Sequence, residues 1–238
     1  MRNLILICLL LSSAHLIFSQ TTEILQRSDK QYTKKGKDFA CLNAATDTAA
    51  LAFVARIKAT GKKNKGGIQS LYFTIQTKAK SMGANAFQLQ EFIRNDSTDE
   101  ASLVLDTYYG TDDALRANAG QHDKNIIIIF GGEKSGETEK FSFKVNSDKK
   151  VIKSGTFFRY SLKEDEEVKI SAGGLTGSSM WFKWKENKPA TFLTLSGFGV
   201  GGGNAPTGPA GVSSKTRQLN FVDANLGYLL IQLLRPAE

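Results

Sequence analysis

The chain has 238 residues and a formal net charge of +8, from 31 lysines and arginines against 23 acidic residues. This length allows one large domain or two small ones, and either can bury a core of its own. An excess of positive charge favours anionic partners such as lipid head groups, acidic glycans or nucleic acid, although a moderate excess also serves solubility.

Residues 1–19 predict a secretory signal peptide. Arg2 precedes an apolar run from Leu4 to Leu11, and the small residue Ser19 follows at the expected cleavage position. A charged start, a short apolar core and a small residue at the end are typical of such signals. No later apolar run reaches the about 20 residues that span a bilayer. We therefore expect an exported protein, periplasmic or extracellular, whose mature part has no transmembrane segment.

Cys41 is the single cysteine of the chain after residue 19. One thiol cannot form an internal disulfide, so the mature protein must be stabilised by packing. Its neighbours Phe39, Ala40 and Leu42 predict a buried, small apolar side chain. A catalytic thiol also needs a base, and His122 is the single histidine of the mature part.

The polar, lysine-rich segment 20–45 is expected to be a loose N-terminal arm. Residues 46–131 then predict a compact α+β unit. Alternation predicts a strand over 51–59, although its alanines leave a helix as the alternative. The spacing of apolar residues predicts a helix over 68–82 that ends at Gly83. Two strands follow at 86–93 and 101–109.

A short helix follows these strands, with Thr111 as its cap and Asp112 and Asp113 in its first turn. The continuous apolar run Ile126 to Phe130 is expected of a strand covered on both faces. The order β-α-β-β-α-β is that of a ferredoxin-like domain, with the helices on one face of an antiparallel sheet.

The segment Lys78 to Ala86 (KAKSMGANA) resembles the corner between helix and strand in small bacterial βαββ domains, many of which are described only as metal-binding or of unknown function. The resemblance covers about ten residues and implies a helix-to-strand turn. The whole chain resembles uncharacterised secreted bacterial proteins. No clustered ligand residues match, so the resemblance implies no function.

Residues 132–140 are rich in glycine and charge and predict a linker, and residues 141–238 predict a β-rich domain. Short segments there alternate between apolar and polar residues, with turn residues between them. This pattern is typical of an antiparallel β-sandwich-like domain. The glycine-rich segment 197–211 is expected to be a lid over a binding face or a simple connection.

A basic loop between the first strand and the first helix is the clearest candidate binding site. Free N–H groups at a helix N-terminus attract anions, and glycines allow a ligand to approach the backbone closely. A solvated basic turn is the alternative. The residues of this candidate anion site are Lys62, Lys63, Lys65, Gly66 and Gly67.

Trp181 lies on the opposite side of its strand from Met180 and Trp184. It is expected to pack against the first domain. If that side faces solvent instead, the ring, beside Lys183 and Lys185, would stack on a sugar or an aromatic ligand.

One histidine and nearby carboxylates form the only candidate metal or acid/base cluster, although helix capping already accounts for two of them. No nucleophile elbow is present. Gly197, Gly199 and Gly202 fit G-x-G-x-x-G, but Pro206 and Pro209 follow where a dinucleotide site needs a helix, so no catalytic residue and no cofactor is predicted. The cluster consists of Asp112, Asp113, His122 and Asp123.

The sequence thus favours a non-enzymatic exported protein that binds or supports other components of the cell envelope. Its expected partners are an anionic glycan, a lipid head group or another envelope protein, contacted through lysine-rich loops. The alternative is a secreted metal- or acid/base-dependent enzyme that uses His122 and nearby carboxylates.

Overall fold

The protein is a mixed α+β structure in which strands predominate. The computed structural model describes residues 20–30, 32, 38–62, 67–95, 97–98, 100–132, 139–173, 177–195 and 219–237. The predicted signal peptide, the glycine-rich segment 197–211 and most of the predicted linker lie outside these residues.

Strands and helices follow one another along the whole described chain. The strands are β1 (Gln20–Arg27), β2 (Ala40–Cys41), β3 (Ala52–Lys62), β4 (Ala86–Asn95), β5 (Glu100–Tyr109), β6 (Ile126–Phe130), β7 (Lys140–Val145), β8 (Asp148–Lys153), β9 (Thr156–Ser161), β10 (Glu167–Ala172), β11 (Ser178–Lys183), β12 (Thr191–Thr194), β13 (Asn220–Phe221) and β14 (Arg235–Pro236). The α-helices are α1 (Ile68–Ser81), α2 (Asp112–Gln121) and α3 (Ala224–Leu233).

The first sheet has the strand order β1-β3-β5-β4-β2. Its first strand, β1, pairs antiparallel with β3 along Gln20 to Arg27, so the segment expected to be a loose arm contributes an edge strand. The short strand β2 from the same segment pairs with β4 at the other edge. The sequence signal was weak because β1 is an exposed edge strand whose residues are mostly polar.

Helix α1 covers one face of the first sheet. Its buried residues recur at spacings of three and four, as the sequence predicted, and they pack against β3 and β5. They are Ile68, Leu71, Tyr72, Ile75 and Ala79.

Gly83 ends α1 with a backbone φ of +90°, in the region that favours glycine. The N–H of Gly83 donates to the carbonyl of Lys80, and the N–H of Ala84 donates to that of Ala79, which is a Schellman motif. A Cβ at Gly83 would also lie 2.1 Å from the carbonyl oxygen of Tyr32. The helix end therefore needs glycine for two independent reasons.

Strand β6 lies in a different sheet from the one that the sequence predicted. It is the central strand of a sheet with the order β13-β12-β6-β9-β14, which we call the third sheet, and it does not pair with the first sheet. The first sheet is completed by β1 instead, so a ferredoxin-like sheet of residues 46–131 does not describe the fold. Local pattern gave no signal for this choice, because pairing partners far along the chain decide it.

The apolar run of β6 is covered on both faces, as the sequence predicted. Ile126, Ile128 and Phe130 belong to the core that also contains α1, whereas Ile127 and Ile129 face a second core. That second core lies between the third sheet and the second sheet, which has the order β11-β10-β7-β8.

Helix α3, near the C-terminal end of the described residues, contacts elements from the N-terminal half of the chain. It packs against β2, α1 and β12, and its buried residues Leu226, Leu229 and Leu230 join the core of the first sheet. The N–H of Cys41 donates to Oδ1 of Asn225 over 3.0 Å, which ties β2 to the start of this helix. One continuous core thus contains residues from both sides of the predicted linker.

Candidate functional site

The outer face of the sheet β11-β10-β7-β8 carries an unusual set of side chains. Successive side chains of a strand point to opposite faces of the sheet, so every second residue points away from the second core. The register places these outward residues opposite one another on neighbouring strands. We call this surface the lysine face. It consists of Lys140, Ser142, Lys144, Lys149, Val151, Lys153, Glu167, Lys169, Ser171, Ser179, Trp181 and Lys183.

Six of these twelve residues are lysines, and Glu167 is the one carboxylate. All twelve are exposed or half-buried. With strands about 4.8 Å apart and a rise of about 3.4 Å per residue, the surface measures about 14 Å across and up to about 27 Å along. The result is an open surface with a net positive charge.

Two pairs of lysines lie directly opposite each other on β7 and β8. Lys140 pairs with Lys153, and Lys144 pairs with Lys149. Like charges directly opposite in a sheet are destabilising. Lysines on an edge strand such as β8 also discourage aggregation, but Lys144 and Lys169 lie on the inner strands β7 and β10, where edge protection does not apply.

Trp181 is 63% exposed on the lysine face. The expected packing of its ring against the first domain is therefore not what the structure shows. Lys169 lies opposite Trp181 in the register, and its Nζ is 5.5 Å from the ring centroid, within the range of a cation–π contact. A large aromatic ring and an ammonium group are thus presented together to solvent.

The predicted anion site at the basic loop is described only at its two ends. Lys62 is exposed at the end of β3, opposite Glu100, and Gly67 caps α1 without a side-chain hydrogen bond. Lys63, Lys65 and Gly66 lie outside the described residues. The loop site stays a prediction.

Three of the four residues of the predicted metal cluster, Asp113, His122 and Asp123, contact groups outside the cluster. Asp112 and Asp113 lie in the first turn of α2, where Asp113 forms an ion pair with Arg116. Asp123 forms an ion pair with Arg159 over 3.1 Å. Within the described ranges, no group of three or more His, Cys, Asp or Glu side chains is arranged to hold a metal ion.

His122 lies between β2 and α3. Its Nε2 is 3.1 Å from the carbonyl oxygen of Cys41, and its ring stacks on Tyr228 with the centroids 3.8 Å apart. Burial lowers the pKa of this imidazole below its ordinary value, since the charged form loses hydration. The imidazole therefore acts as a packing and hydrogen-bonding group for the backbone of β2.

Cys41 is buried, as the sequence predicted. Burial raises the pKa of its thiol to about 12, because a thiolate would lose its hydration, and a hydrogen bond from Gln232 offsets only part of this effect. The thiol is protonated at neutral pH, and His122 contacts the Cys41 carbonyl oxygen. A buried, protonated thiol is a weak nucleophile.

The polar network around Cys41 had no clear signal in the sequence. Nδ2 of the buried Asn118 donates to the Cys41 carbonyl over 3.0 Å, and Oδ1 of Asn118 accepts from the N–H of Asn43 and the hydroxyl of Thr46. Long-range contacts of this kind satisfy the backbone of the short strand β2 and fix it between α2 and α3.

The chain was compared with protein-family models, curated proteins and solved structures, and none of them matches it. Over the described residues, the helices are all too short or too polar to cross a membrane. The fold and the lysine face define the molecule as an α+β protein, mostly β, whose described residues include an open basic surface.

Proposed function

We propose that this protein is a non-enzymatic exported binding protein of the cell envelope or the extracellular space, and that its lysine face binds an anionic partner. The second and third sheets would serve as a β-sandwich-like scaffold that holds the face in place. The proposal includes export through residues 1–19, as the sequence predicted.

One observation carries this proposal: six lysines share one sheet face with an exposed tryptophan, and four of them form like-charge cross-strand pairs. Such pairs cost stability. They are compensated when an anion neutralises them, because opposite charges then lie within the Debye length of about 8 Å at physiological ionic strength. Binding of an anionic partner thus explains the basic surface better than a contribution of these lysines to the stability of the fold does.

The alternative, a secreted enzyme that uses His122, has no comparable support. His122 contacts a backbone carbonyl oxygen and a tyrosine ring, and Asp113 and Asp123 pair with arginines. No observation on the described residues brings an acid and a base together around a shared opening.

Neutralising part of the lysine face tests the proposal. The variant Lys144→Gln, Lys149→Gln, Lys153→Gln is compared with the control Arg27→Gln, Lys30→Gln, Lys78→Gln, which removes the same charge from exposed positions outside the lysine face. Binding to sulfated dextran and to inorganic polyphosphate is measured by titration at several salt concentrations, with circular dichroism as a check of folding.

We expect the face variant to bind these polyanions at least tenfold more weakly and with a smaller dependence on salt, because fewer ion contacts form. The control should bind almost like the natural chain. Equal losses in both variants would show that only the net charge matters, and the proposal would then be wrong.

A further inference from the structure

We infer that the partner of the lysine face is the head-group plane of an anionic lipid bilayer. This inference rests on the proposed function and names its partner. It commits to a lipid surface, as opposed to a soluble acidic polymer, on the basis of the shape of the face, its cations and its exposed apolar residues.

The shape of the face suits a surface. Its cations are spread over four neighbouring strands and do not converge on one point. Sites for small ligands are concave and bury most of the ligand. An extended array of about 14 by 27 Å instead allows many head groups to be contacted at once.

The cations of the face are all lysines. Arginine presents a rigid planar fork that suits bidentate recognition of one phosphate, whereas lysine is a point charge on a flexible stem. Flexible stems can follow laterally mobile head groups, and their methylene chains tolerate the edge of an apolar layer. Clustered lysines near an anionic leaflet each add to the attraction.

Two exposed apolar residues lie on the same face. Trp181 is on one edge strand, β11, and Val151, 54% exposed, is on the other, β8. A tryptophan ring favours the boundary between water and lipid, since its body is apolar and its N–H is polar. A soluble polyanion would gain nothing from Val151.

A single-stranded nucleic acid suits this face less well. Proteins that bind such strands offer aromatic rings on which successive bases stack. On the lysine face Trp181 is the single aromatic residue, and Lys169 already lies near its ring.

Vesicle binding tests the inference directly. The exported chain is mixed with phosphatidylcholine vesicles containing increasing fractions of phosphatidylglycerol, and the bound fraction is measured by flotation. We expect binding to rise with the anionic fraction, and the variant Lys144→Gln, Lys149→Gln, Lys153→Gln to bind on the order of a hundredfold more weakly. The control Arg27→Gln, Lys30→Gln, Lys78→Gln should bind nearly as well as the natural chain.

Tryptophan quenching by brominated lipid adds a readout that charge alone does not produce. The mature chain holds Trp181 and Trp184, and Trp184 is half-buried against the second core. We expect quenching in the natural chain and little in Trp181→Phe, where only Trp184 emits.

The outcomes separate the inference from the proposed function. Binding to sulfated dextran or polyphosphate through the lysine face without binding to vesicles would overturn the lipid inference and leave the proposed function standing. Tighter binding to a single-stranded oligonucleotide than to vesicles of equal charge would also overturn the lipid inference. Vesicle binding without quenching of Trp181, or equal binding by both triple variants, would overturn it as well. Absence of binding to all these probes would overturn both.

Discussion

At the scale of single residues, Asn85 explains the corner between α1 and β4. Its side chain is buried, and it exchanges two hydrogen bonds of 2.8 Å with the carbonyl and the N–H of Gly110. Its backbone N–H donates to the Tyr108 carbonyl, and its carbonyl accepts from Ala40. One amide side chain thus replaces a backbone partner where β4 begins and β5 ends.

Replacing this side chain should be costly. In Asn85→Ala both polar backbone groups of the buried Gly110 lose their partners, and each unsatisfied group costs about 1–3 kcal/mol. We therefore expect the midpoint of urea unfolding to fall clearly. Gln90→Ala, at an exposed position of β4, should change the free energy of unfolding by less than about 0.5 kcal/mol. Similar midpoints for the two variants would contradict this role of Asn85.

At the scale of secondary-structure elements, helix α3 lies so close to strand β12 at Gly227 that a residue with a Cβ atom would not fit there. A Cβ at Gly227 would lie 2.2 Å from Cγ of the buried Phe192. Alanine normally favours a helix over glycine by about 1 kcal/mol. Here that gain competes with a clash against an aromatic ring that is held in the core.

We expect the clash to dominate in Gly227→Ala, since overpacking a core costs about 1–3 kcal/mol. The matched control is Gly120→Ala in α2, where a new Cβ meets nothing within 4 Å. That control should be as stable as the natural chain or slightly more stable. Thermal unfolding of both variants checks the pair, and a stabilised Gly227→Ala would show that α3 can shift away from β12.

At the scale of the whole molecule, a shared core joins the two parts that the sequence separates. The cluster that contains α1 also includes Phe157, Phe192 and Leu230 from beyond the predicted linker. The chain before that linker also provides β6, the central strand of the third sheet. Stability should therefore be a property of the entire described chain.

From this shared core we expect the chain without residues 1–19 to unfold in a single transition. Trp184 fluorescence, measured in Trp181→Phe so that it alone reports the second core, and far-ultraviolet circular dichroism should give the same midpoint. A fragment of residues 20–131 lacks β9, β12 and α3, so it should show no cooperative unfolding. Two separate transitions, or a folded fragment, would instead support the boundary that the sequence predicts at residues 132–140.

The sequence by itself determined the features that depend on local pattern. The stripe of α1, its stop at Gly83, the apolar strand β6 and the burial of Cys41 each follow from residue spacing or from immediate neighbours, and the structure confirms them. The mixed α+β class follows in the same way.

The tertiary structure alone decided which elements come together. Alternation places Lys144 and Lys149 on an outer face but does not show that they lie opposite each other, because register depends on how strands pair. The place of β6 in the third sheet, the pairing of β1 and the contact of His122 with Cys41 also join residues distant in sequence. Local propensity depends only on residues that are near in sequence, so it does not predict such contacts. The lysine face exists because the tertiary structure places four strands side by side.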